Sequence, residues 1–352
     1  MVVSSIKKVL VTGGAGFIGS NFIRHILDAI PDVRVWNLDL LTYAGNPENL
    51  SDIEAAQSQK PIESRRYTFI HGDIADRALV EHLCDEHRFD CVVHFAAESH
   101  VDRSIINSVH FIRTNIQGTH ALLDAARMFK TPRFVHISTD EIYGDRDNGA
   151  ADEATLLKPS NPYSASKAGA DFLAQSYIRT YNLPIIIVRG SNNFGPYQYP
   201  EKLMPLTITN ILEGKKIPIH GSGLHVRSWI HTRDFCRAIE ALVTNAPLRE
   251  IYNVGGEEHT NLDIVERIAR LMGKDANAHV VHVNDRPGQD VRYALTYEKI
   301  QKDTGWKPTQ KFEEALKETV QWYTANPEWW SAIKKKKEYQ DHLERQSQGK
   351  WF

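Results

Sequence analysis

Six short runs of apolar, mostly β-branched residues recur in the first half of the chain, separated from one another by stretches with helical periodicity. They are KVLVTG, VRVWNLD, YTFIHGD, CVVHFAA, RFVHIST and PIIIVRG. Continuous apolar runs of this length are typical of parallel strands that helices cover on both faces. The sequence therefore predicts an α/β fold built on a doubly wound parallel sheet.

A glycine-rich segment, VTGGAGFIGS, lies between the first predicted strand and a helix. Gly13, Gly16 and Gly19 allow a tight turn and a close approach of the backbone to a pyrophosphate, whose charge the helix N-terminus then meets. Asp39 ends the second predicted strand, where a carboxylate can bind ribose hydroxyls. Because two leucines follow it, and no arginine that would accept a 2′-phosphate, the sequence favours NAD over NADP.

The same cofactor is expected to contact residues next to the first, third and fourth strands. For Asp73, which could approach the adenine edge, a role as a turn residue is the alternative. The expected contacts are Phe17, Ile18, Asp73, Ile74, Ala96 and Ala97.

The regular alternation of strands and helices ends near residue 196. Shorter strands and amphipathic helices follow, as in YPEKLMPLTITNILEGKKIPIHGSG and KFEEALKETVQWYTAN. A chain of 352 residues is also long for one compact core. We expect a Rossmann-like NAD-binding domain over residues 1–196, with returning segments near 225–258. Residues 197–352 should form a smaller, discontinuous C-terminal α/β lobe that binds substrate.

Composition excludes some classes of partner. The formal net charge is -2, with 42 basic and 44 acidic residues, which gives no electrostatic reason to expect nucleic acid or an anionic membrane. Cys84, Cys91 and Cys236 are scattered without metal-ligand spacing, so reduced thiols and no metal are expected. No apolar stretch approaches membrane-spanning length. A soluble, cytoplasmic protein with a small-molecule ligand is predicted, with the lysines at 334–337 at a solvated helix end.

A tyrosine and a lysine lie one turn apart on a predicted helix. In SNPYSASKAGADFLAQSYIRTY, Asn161 or Ser160 can cap this helix, whose first turn holds Pro162. Tyr163 and Lys167 then share one face. A cation about 4 Å from a phenol contributes roughly 4 kcal/mol at an effective dielectric near 20, which would lower the phenol pKa by about three units. The pair is therefore predicted to be catalytic and close to the cofactor.

The segments TGGAGFIG and YSASK resemble those of the extended short-chain dehydrogenase/reductase family, whose members mostly act on nucleotide sugars. The likeness covers nearly the whole chain. Within the family, the segments HFAAESHVDRSI, STDEIYGD, NPYSASKAGAD, SNNFGPYQYPEKLMP and GLHVRSW resemble nucleotide-sugar 4,6-dehydratases. The resemblance implies dTDP-glucose or a related nucleotide sugar as substrate, and a homodimer formed through a helical face.

Thr139, Asp140 and Glu141 follow the fifth predicted strand, and burying charge there is costly unless it has a use. Loss of water across C5 and C6 of a hexose becomes feasible once C4 is a ketone, because the C5 proton is then acidic. The resemblance implies that Tyr163 and Lys167 remove the O4 proton while hydride passes to NAD, and that Thr139 binds O4. Glu141 then takes the C5 proton and Asp140 protonates O6, before hydride returns to C6.

This assignment has a structural condition. Successive side chains of a strand face opposite ways, so Asp140 and Glu141 reach one sugar only if the strand has ended. The alternative for either carboxylate is a loop cap or a pair with an arginine.

The resemblance also implies contacts with the sugar, the diphosphate and the base. For Arg227 and Arg292 a surface ion pair is the alternative. His220 stands where tyrosine is common, and Gln289 where histidine is common, so the choice between thymine and uracil stays open. The implied substrate contacts are Ser99, His100, Asn192, Asn193, Lys202, Leu203, Pro218, His220, Arg227 and Arg292.

Three functions therefore remain in view. The first is 4,6-dehydration of dTDP-glucose, and the second is the same reaction on UDP-glucose or another redox-neutral conversion such as 4-epimerisation. The third is a catalytically silent protein that binds NAD or a nucleotide sugar. The intact catalytic set argues against the third. An epimerase would need only Tyr163 and Lys167 with a hydroxyl, and would not require the two acids.

Overall fold

The computed structural model describes residues 6–347, and the six apolar runs form the first six strands of the fold. Most strands belong to a seven-stranded sheet of order β10-β6-β5-β4-β1-β2-β3, in which every pairing is parallel. The doubly wound α/β prediction is confirmed. The strands are β1 (Lys8–Thr12), β2 (Arg34–Asp39), β3 (Tyr67–His71), β4 (Cys91–His94), β5 (Phe134–Thr139), β6 (Ile185–Gly190), β7 (Asn192–Phe194), β8 (Ile217–His220), β9 (Val226–His231), β10 (Ile251–Val254), β11 (Glu257–Thr260) and β12 (Val280–Val283).

Helices connect these strands and cover the sheet. Short 3₁₀ helices span Pro47–Leu50, Ile62–Ser64 and Asp140–Tyr143, and a π-helical stretch spans Ile112–Gly118. The α-helices are α1 (Phe17–Ala29), α2 (Ser51–Ser58), α3 (Arg77–His87), α4 (Val101–Ile106), α5 (Val109–Phe111), α6 (Thr119–Met128), α7 (Pro162–Tyr181), α8 (Leu203–Leu212), α9 (Thr232–Thr244), α10 (Asn261–Leu271), α11 (Ala276–His279), α12 (Glu298–Thr304), α13 (Phe312–Ala325), α14 (Pro327–Lys334) and α15 (Lys337–Ser347).

Two apolar cores cover the two faces of the large sheet. Val9 and Val11 of β1 point into one core, which α1 and α9 complete, whereas Leu10 points into the other, which α3 and α6 complete. This is the alternation that a strand imposes on successive side chains. The strands read as unbroken apolar runs because both of their faces are buried.

A third core lies outside the large sheet. Ile208, Ile268 and Leu316 from α8, α10 and α13 meet there, next to Trp229. The small sheets β11-β9-β7 and β12-β8 belong to this part of the molecule. Strand β10 pairs with β6 and α9 packs on α1, so the chain does return to the first core, but the exact domain bounds stay a prediction.

Two sequence expectations about single residues have clear outcomes. All three cysteines are buried free thiols. The expectation of a solvated helix end is wrong for Lys334, whose ammonium is buried and donates to Asn210 and Glu213. Within the described residues, no helix combines the length and the hydropathy needed to cross a bilayer.

The start of α7 is fixed by a capping box. The Asn161 side chain accepts a hydrogen bond from the Ser164 backbone N–H at 2.9 Å, and Ser164 Oγ receives one from the Asn161 backbone N–H. Pro162 occupies the first turn, where its missing N–H costs nothing. Asn161 is thus the cap, and it places Tyr163 and Lys167 on the face of α7 that meets β5.

A buried ion pair between Arg189 of β6 and Asp171 of α7 connects this helix to the large sheet. Arg189 is 2% exposed and Asp171 0% exposed. The guanidinium makes two hydrogen bonds of 3.0 Å to the Asp171 carboxylate and a third of 2.8 Å to Tyr143 Oη. Removing one partner of such a pair leaves a buried charge without compensation.

We predict that Asp171→Asn lowers the free energy of unfolding by about 3 kcal/mol, because Arg189 keeps its charge in a buried site. Denaturant unfolding of the purified protein measures this change. Glu314→Gln is the matched control, since Glu314 and its partner Lys311 are both exposed and such pairs contribute little. Equal stability of the two variants would contradict the prediction.

Candidate active site

Two adjoining cavities open where the parallel strands end. The sheet-edge cavity has a volume of about 250 Å³ and lies over the ends of β1, β2, β4 and β5. The lobe cavity has a volume of about 170 Å³ and lies between that edge and the segments around β8 and β9. Ser99, Gln198 and Lys202 line both, so the two cavities share one wall.

The glycine-rich turn after β1 is shaped for a close approach of backbone. Gly13 has φ +73°, and a Cβ atom there would lie 2.5 Å from the Ala96 backbone nitrogen. A Cβ atom at Gly19 would lie 2.3 Å from the Gly13 carbonyl oxygen. Only glycine fits either position, and Gly16 directly precedes the N-terminus of α1. This geometry fits a pyrophosphate at the helix N-terminus.

Asp39 ends β2 at the rim of the same cavity. Its carboxylate accepts hydrogen bonds from the backbone N–H groups of Ala15 at 2.9 Å and Leu41 at 2.8 Å. Burial raises its pKa above the usual range. Asp73 also lines the cavity, but its carboxylate already pairs with Arg113 at 2.6 Å.

Every residue that the sequence predicts to contact cofactor lines the sheet-edge cavity. The set comes from five separate parts of the chain that the parallel sheet brings to one edge. Its members are Gly13, Gly16, Phe17, Ile18, Gly19, Asp39, Asp73, Ile74, Ala96, Ala97, Tyr163 and Lys167.

The strand β5 ends directly before Asp140 and Glu141, as the sequence analysis required for both acids to reach one sugar. Thr139 is its last residue, and a 3₁₀ helix begins at Asp140. Thr139 Oγ1 accepts a hydrogen bond from the Glu141 backbone N–H at 3.3 Å and donates to Asp140 Oδ1 at 3.3 Å. Thr139 lines the sheet-edge cavity and Glu141 the lobe cavity, whereas Asp140, 3% exposed, lines neither.

The two acids differ in their surroundings. Burial, reinforced by the charge of Glu141, raises the pKa of Asp140 to about 8. Burial also raises the pKa of Glu141, but the positive charges of Arg227 and Lys202 oppose this. Burial therefore favours the protonated form of Asp140 at neutral pH, whereas Glu141 has cations beside it that favour its charged form.

The tyrosine and the lysine that the sequence predicts to be catalytic are both buried. Lys167 Nζ donates to the Ile137 carbonyl at 2.6 Å, and burial lowers the lysine pKa to about 8. The expectation of a lowered Tyr163 pKa is wrong for this structure, because burial and the charge of Glu141 raise it, although a hydrogen bond with Thr139 acts the other way.

Positively charged side chains line the lobe cavity. Lys202, Arg227 and Arg286 line it together with the Glu141 carboxyl group. Arg227 is held by the carbonyl oxygens of Val226 and Asp290. Three cations around one cavity fit a diphosphate. Eight predicted substrate contacts line this cavity, while Asn193 lines only the sheet-edge cavity. They are Ser99, His100, Asn192, Lys202, Leu203, Pro218, His220 and Arg227.

Arg292 is the predicted substrate contact that the structure does not bring to either cavity. Its guanidinium forms an ion pair with Glu258 at 2.8 Å and donates to the Gly149 carbonyl. Arg286, which the sequence reasoning missed, lines the lobe cavity instead and pairs with Asp102 at 2.9 Å. The segment DRPGQDVRY contains both arginines, and its pattern alone does not tell which one faces inward.

Three buried side chains near the wall that the two cavities share have a spacing that could suit a metal ion. In the described part of the chain, His100, Asp102 and His342 bring their ligand atoms within 4.8 Å of one another. Asp102 is already paired with Arg286. Burial and the positive charge of Lys202 lower the pKa of His100, and the same charge opposes a further cation there. The absence of a metal stays a prediction.

Comparison with known proteins agrees with this geometry. The family model described as GDP-mannose 4,6 dehydratase matches residues 10–319. A dTDP-glucose 4,6-dehydratase of Shigella flexneri is 45% identical, over 97% of this chain and 99% of the relative. One from Streptomyces niveus is 46% identical, over 93% and 96%.

Solved structures of enzymes that act on nucleotide sugars are also similar to this chain. DesIV from Streptomyces venezuelae, a dTDP-glucose 4,6-dehydratase with NAD and TYD bound, is 46% identical with a TM-score of 0.87, over 93% of this chain and 99% of that one. A UDP-glucose 4-epimerase from Thermotoga maritima with UDP-glucose is 27% identical with a TM-score of 0.82, over 91% and 99%. The chain therefore belongs to the extended short-chain dehydrogenase/reductase family, in its group of nucleotide-sugar 4,6-dehydratases.

Proposed function

We propose that this protein is a hydro-lyase that converts dTDP-glucose to dTDP-4-keto-6-deoxyglucose in deoxysugar biosynthesis. The observation that carries the proposal is that Thr139 lines the sheet-edge cavity with Tyr163 and Lys167 and Glu141 lines the lobe cavity, with the buried Asp140 between Thr139 and Glu141 in the chain. An epimerase has no need of two neighbouring acids in different electrostatic surroundings. The relatives of known activity, about 45% identical over nearly their full length, support the same reaction.

NAD is the cofactor that the sheet-edge cavity fits. The glycine turn would hold the pyrophosphate and Asp39 the ribose. Bound NAD supplies the acceptor for the C4 hydride and later the donor of hydride to C6. The solved dehydratases with NAD support this choice.

The side chains divide the proton transfers among themselves. Tyr163 takes the O4 proton in its phenolate form and becomes a neutral phenol, and the Lys167 ammonium in the same cavity favours the phenolate that begins the step. Thr139 Oγ1 orients O4. Once C4 is a ketone, Glu141 removes the C5 proton, and Asp140, protonated at neutral pH, supplies the proton with which O6 leaves. Lys202, Arg227 and Arg286 would hold the diphosphate during these steps.

Assembly and location complete the proposal. We infer a homodimer, because the helical segment of residues 109–128 and helix α7 expose large apolar side chains. The mass of the particle in solution tests this inference. The exposed apolar side chains are Val109, Ile112, Met128, Phe172 and Tyr181.

The buried, unpaired thiols agree with a cytoplasmic location.

The first prediction tests the function directly. Purified protein with NAD should convert dTDP-glucose to a 4-keto-6-deoxy sugar, read by the absorbance that 4-keto sugars develop in alkali. UDP-glucose in a parallel reaction tests the choice of base, since His220 and Gln289 line the lobe cavity. Glu141→Gln should lower product formation by about 100-fold or more, while reduced NAD still forms, because C4 oxidation does not need Glu141.

Asp147→Asn is the control for this variant, since Asp147 is an exposed acid in the same segment. It should keep the parental rate. Product formation by Glu141→Gln at the parental rate would contradict the role of Glu141. If the parental protein makes no product from dTDP-glucose and none from UDP-glucose, the proposed function is refuted.

We also predict a loss of turnover at alkaline pH. Asp140 and Lys167 both have pKa values of about 8, so above that pH Asp140 loses the proton that it donates and Lys167 loses its charge. On the acid side, turnover should fall as Glu141, whose pKa is raised, becomes protonated. A pH profile of kcat at saturating substrate measures both limbs. A kcat that stays constant to about pH 10, where free amines and phenols titrate, would contradict this assignment.

The two arginines of DRPGQDVRY should differ in function. Arg286→Gln is expected to raise KM for the nucleotide sugar by about ten-fold, because a charged hydrogen bond to the diphosphate is lost. Arg292→Gln should leave KM within about two-fold of the parental value, because Arg292 lines neither cavity and its guanidinium pairs with Glu258. Steady-state kinetics on both variants decide the matter. Equal effects, or a larger effect at Arg292, would show that the cavity lining has been misassigned.

A further inference from the structure

One segment, residues 198–203, forms the wall that the two cavities share, and we call it the dividing segment. Gln198 and Lys202 line both cavities. Tyr199 lines only the sheet-edge cavity, and Glu201 only the lobe cavity. Lys202 Nζ donates to the Ser99 carbonyl at 3.3 Å. A shift of this segment would therefore move groups that face both ligands.

Helix α15, far away in sequence, supports the dividing segment from behind. Tyr339 Oη donates to the Pro200 carbonyl at 3.1 Å, and the Tyr339 ring packs on Tyr199 with centroids 6.0 Å apart. Tyr339 is 2% exposed, so this contact is part of a core and not a surface contact.

A chain of charges makes a second connection. Glu338 of α15 pairs with Arg103 at 2.7 Å, and Arg103 pairs with Glu201 at 3.4 Å. The Glu201 carboxylate is buried, which raises its pKa to about 7, although the charges of Lys202 and Arg103 oppose the rise. A buried carboxylate with so large a desolvation cost depends on these partners to stay in place.

His342 makes the third and most direct connection. It is 6% exposed, and its ring stands edge-on to the ring of His100, with centroids 4.7 Å apart and an interplanar angle of 82°. His342 Nε2 lies 3.9 Å from the Glu201 carboxylate. Burial is the main reason that the pKa of His342 falls to about 4, so the ring is neutral at pH 7. Two neutral rings in this arrangement contact each other mainly by packing.

We propose that His342 is a positioning residue for nucleotide-sugar binding: it fills the space behind His100 and the dividing segment and so holds His100 and Lys202 in the wall of the lobe cavity. The inference rests on the proposed function for the identity of the ligand. His342 itself lines neither cavity. Its removal should therefore weaken binding of the ligand without slowing the chemical steps.

The test compares variants of the full-length protein with NAD. His342→Ala is expected to raise KM for dTDP-glucose by about five- to ten-fold and to change kcat by less than about two-fold, the pattern of lost uniform binding. His342→Phe should restore most of the KM, because it keeps the ring contact with His100. Lys337→Gln is the control on the same helix, since Lys337 forms an exposed i,i+4 pair with Asp341, and it should match the parental protein.

Titration calorimetry with dTDP separates this inference from the proposed function, because it requires no turnover. His342→Ala should raise the Kd for dTDP by a similar factor even if the parental protein makes no product. If His342→Ala does not fold, Glu338→Gln tests the same support through Arg103 and should raise the Kd by about two-fold. An unchanged Kd in the folded variants, a loss confined to kcat, or failure of His342→Phe to restore binding would each overturn the inference.

Discussion

The parallel direction of the large sheet is the constraint on which the site depends. Because β1, β4 and β5 run the same way, Gly13, Ala96 and Thr139 all lie at or just after strand ends along one edge. β1 and β4 are neighbours in the sheet although β2 and β3 separate them in sequence. The connections on the two sides of this point leave in opposite directions, which opens a crevice between them. No local motif could create this crevice without the strand order.

Desolvation then sets the protonation of the groups placed there. Burial raises the pKa values of Asp140 and Tyr163 and lowers that of Lys167, so each group moves towards its neutral form. Glu141 differs because Arg227 and Lys202 oppose the effect of burial. The same site thus holds one acid that burial favours in its protonated form and a second acid whose charged form the neighbouring cations favour. β5 ends at Thr139, before both acids, and the hydrogen bond from Glu141 N–H to Thr139 Oγ1 caps the 3₁₀ helix that carries them.

The sequence predicted the parts of the site that depend on neighbours in the chain. Gly13, Asp39 and Tyr163 belong to motifs whose local geometry follows from a strand end or a helix cap, and each lies where expected. The choice between Arg286 and Arg292 could not be made that way, because it depends on Asp102 and Glu258, far away in sequence. The raised pKa of Tyr163 also escaped prediction, since burial is a tertiary property. For the same reason, nothing local indicated the environments of Lys334 and His342.

The ion pair between Asp102 and Arg286 shows how the two halves of the site interact. Asp102, 0% exposed, follows β4 of the large sheet, whereas Arg286 belongs to the loop after β12 in the lobe. A diphosphate in the lobe cavity would bind further donors of the same guanidinium, which has five N–H groups. The anion would thus add its own contacts with Arg286 and Lys202 to the pair that connects the lobe to the sheet. The nucleotide would then help to hold together the cavity in which the sugar reacts, so its affinity and the order of the site are linked.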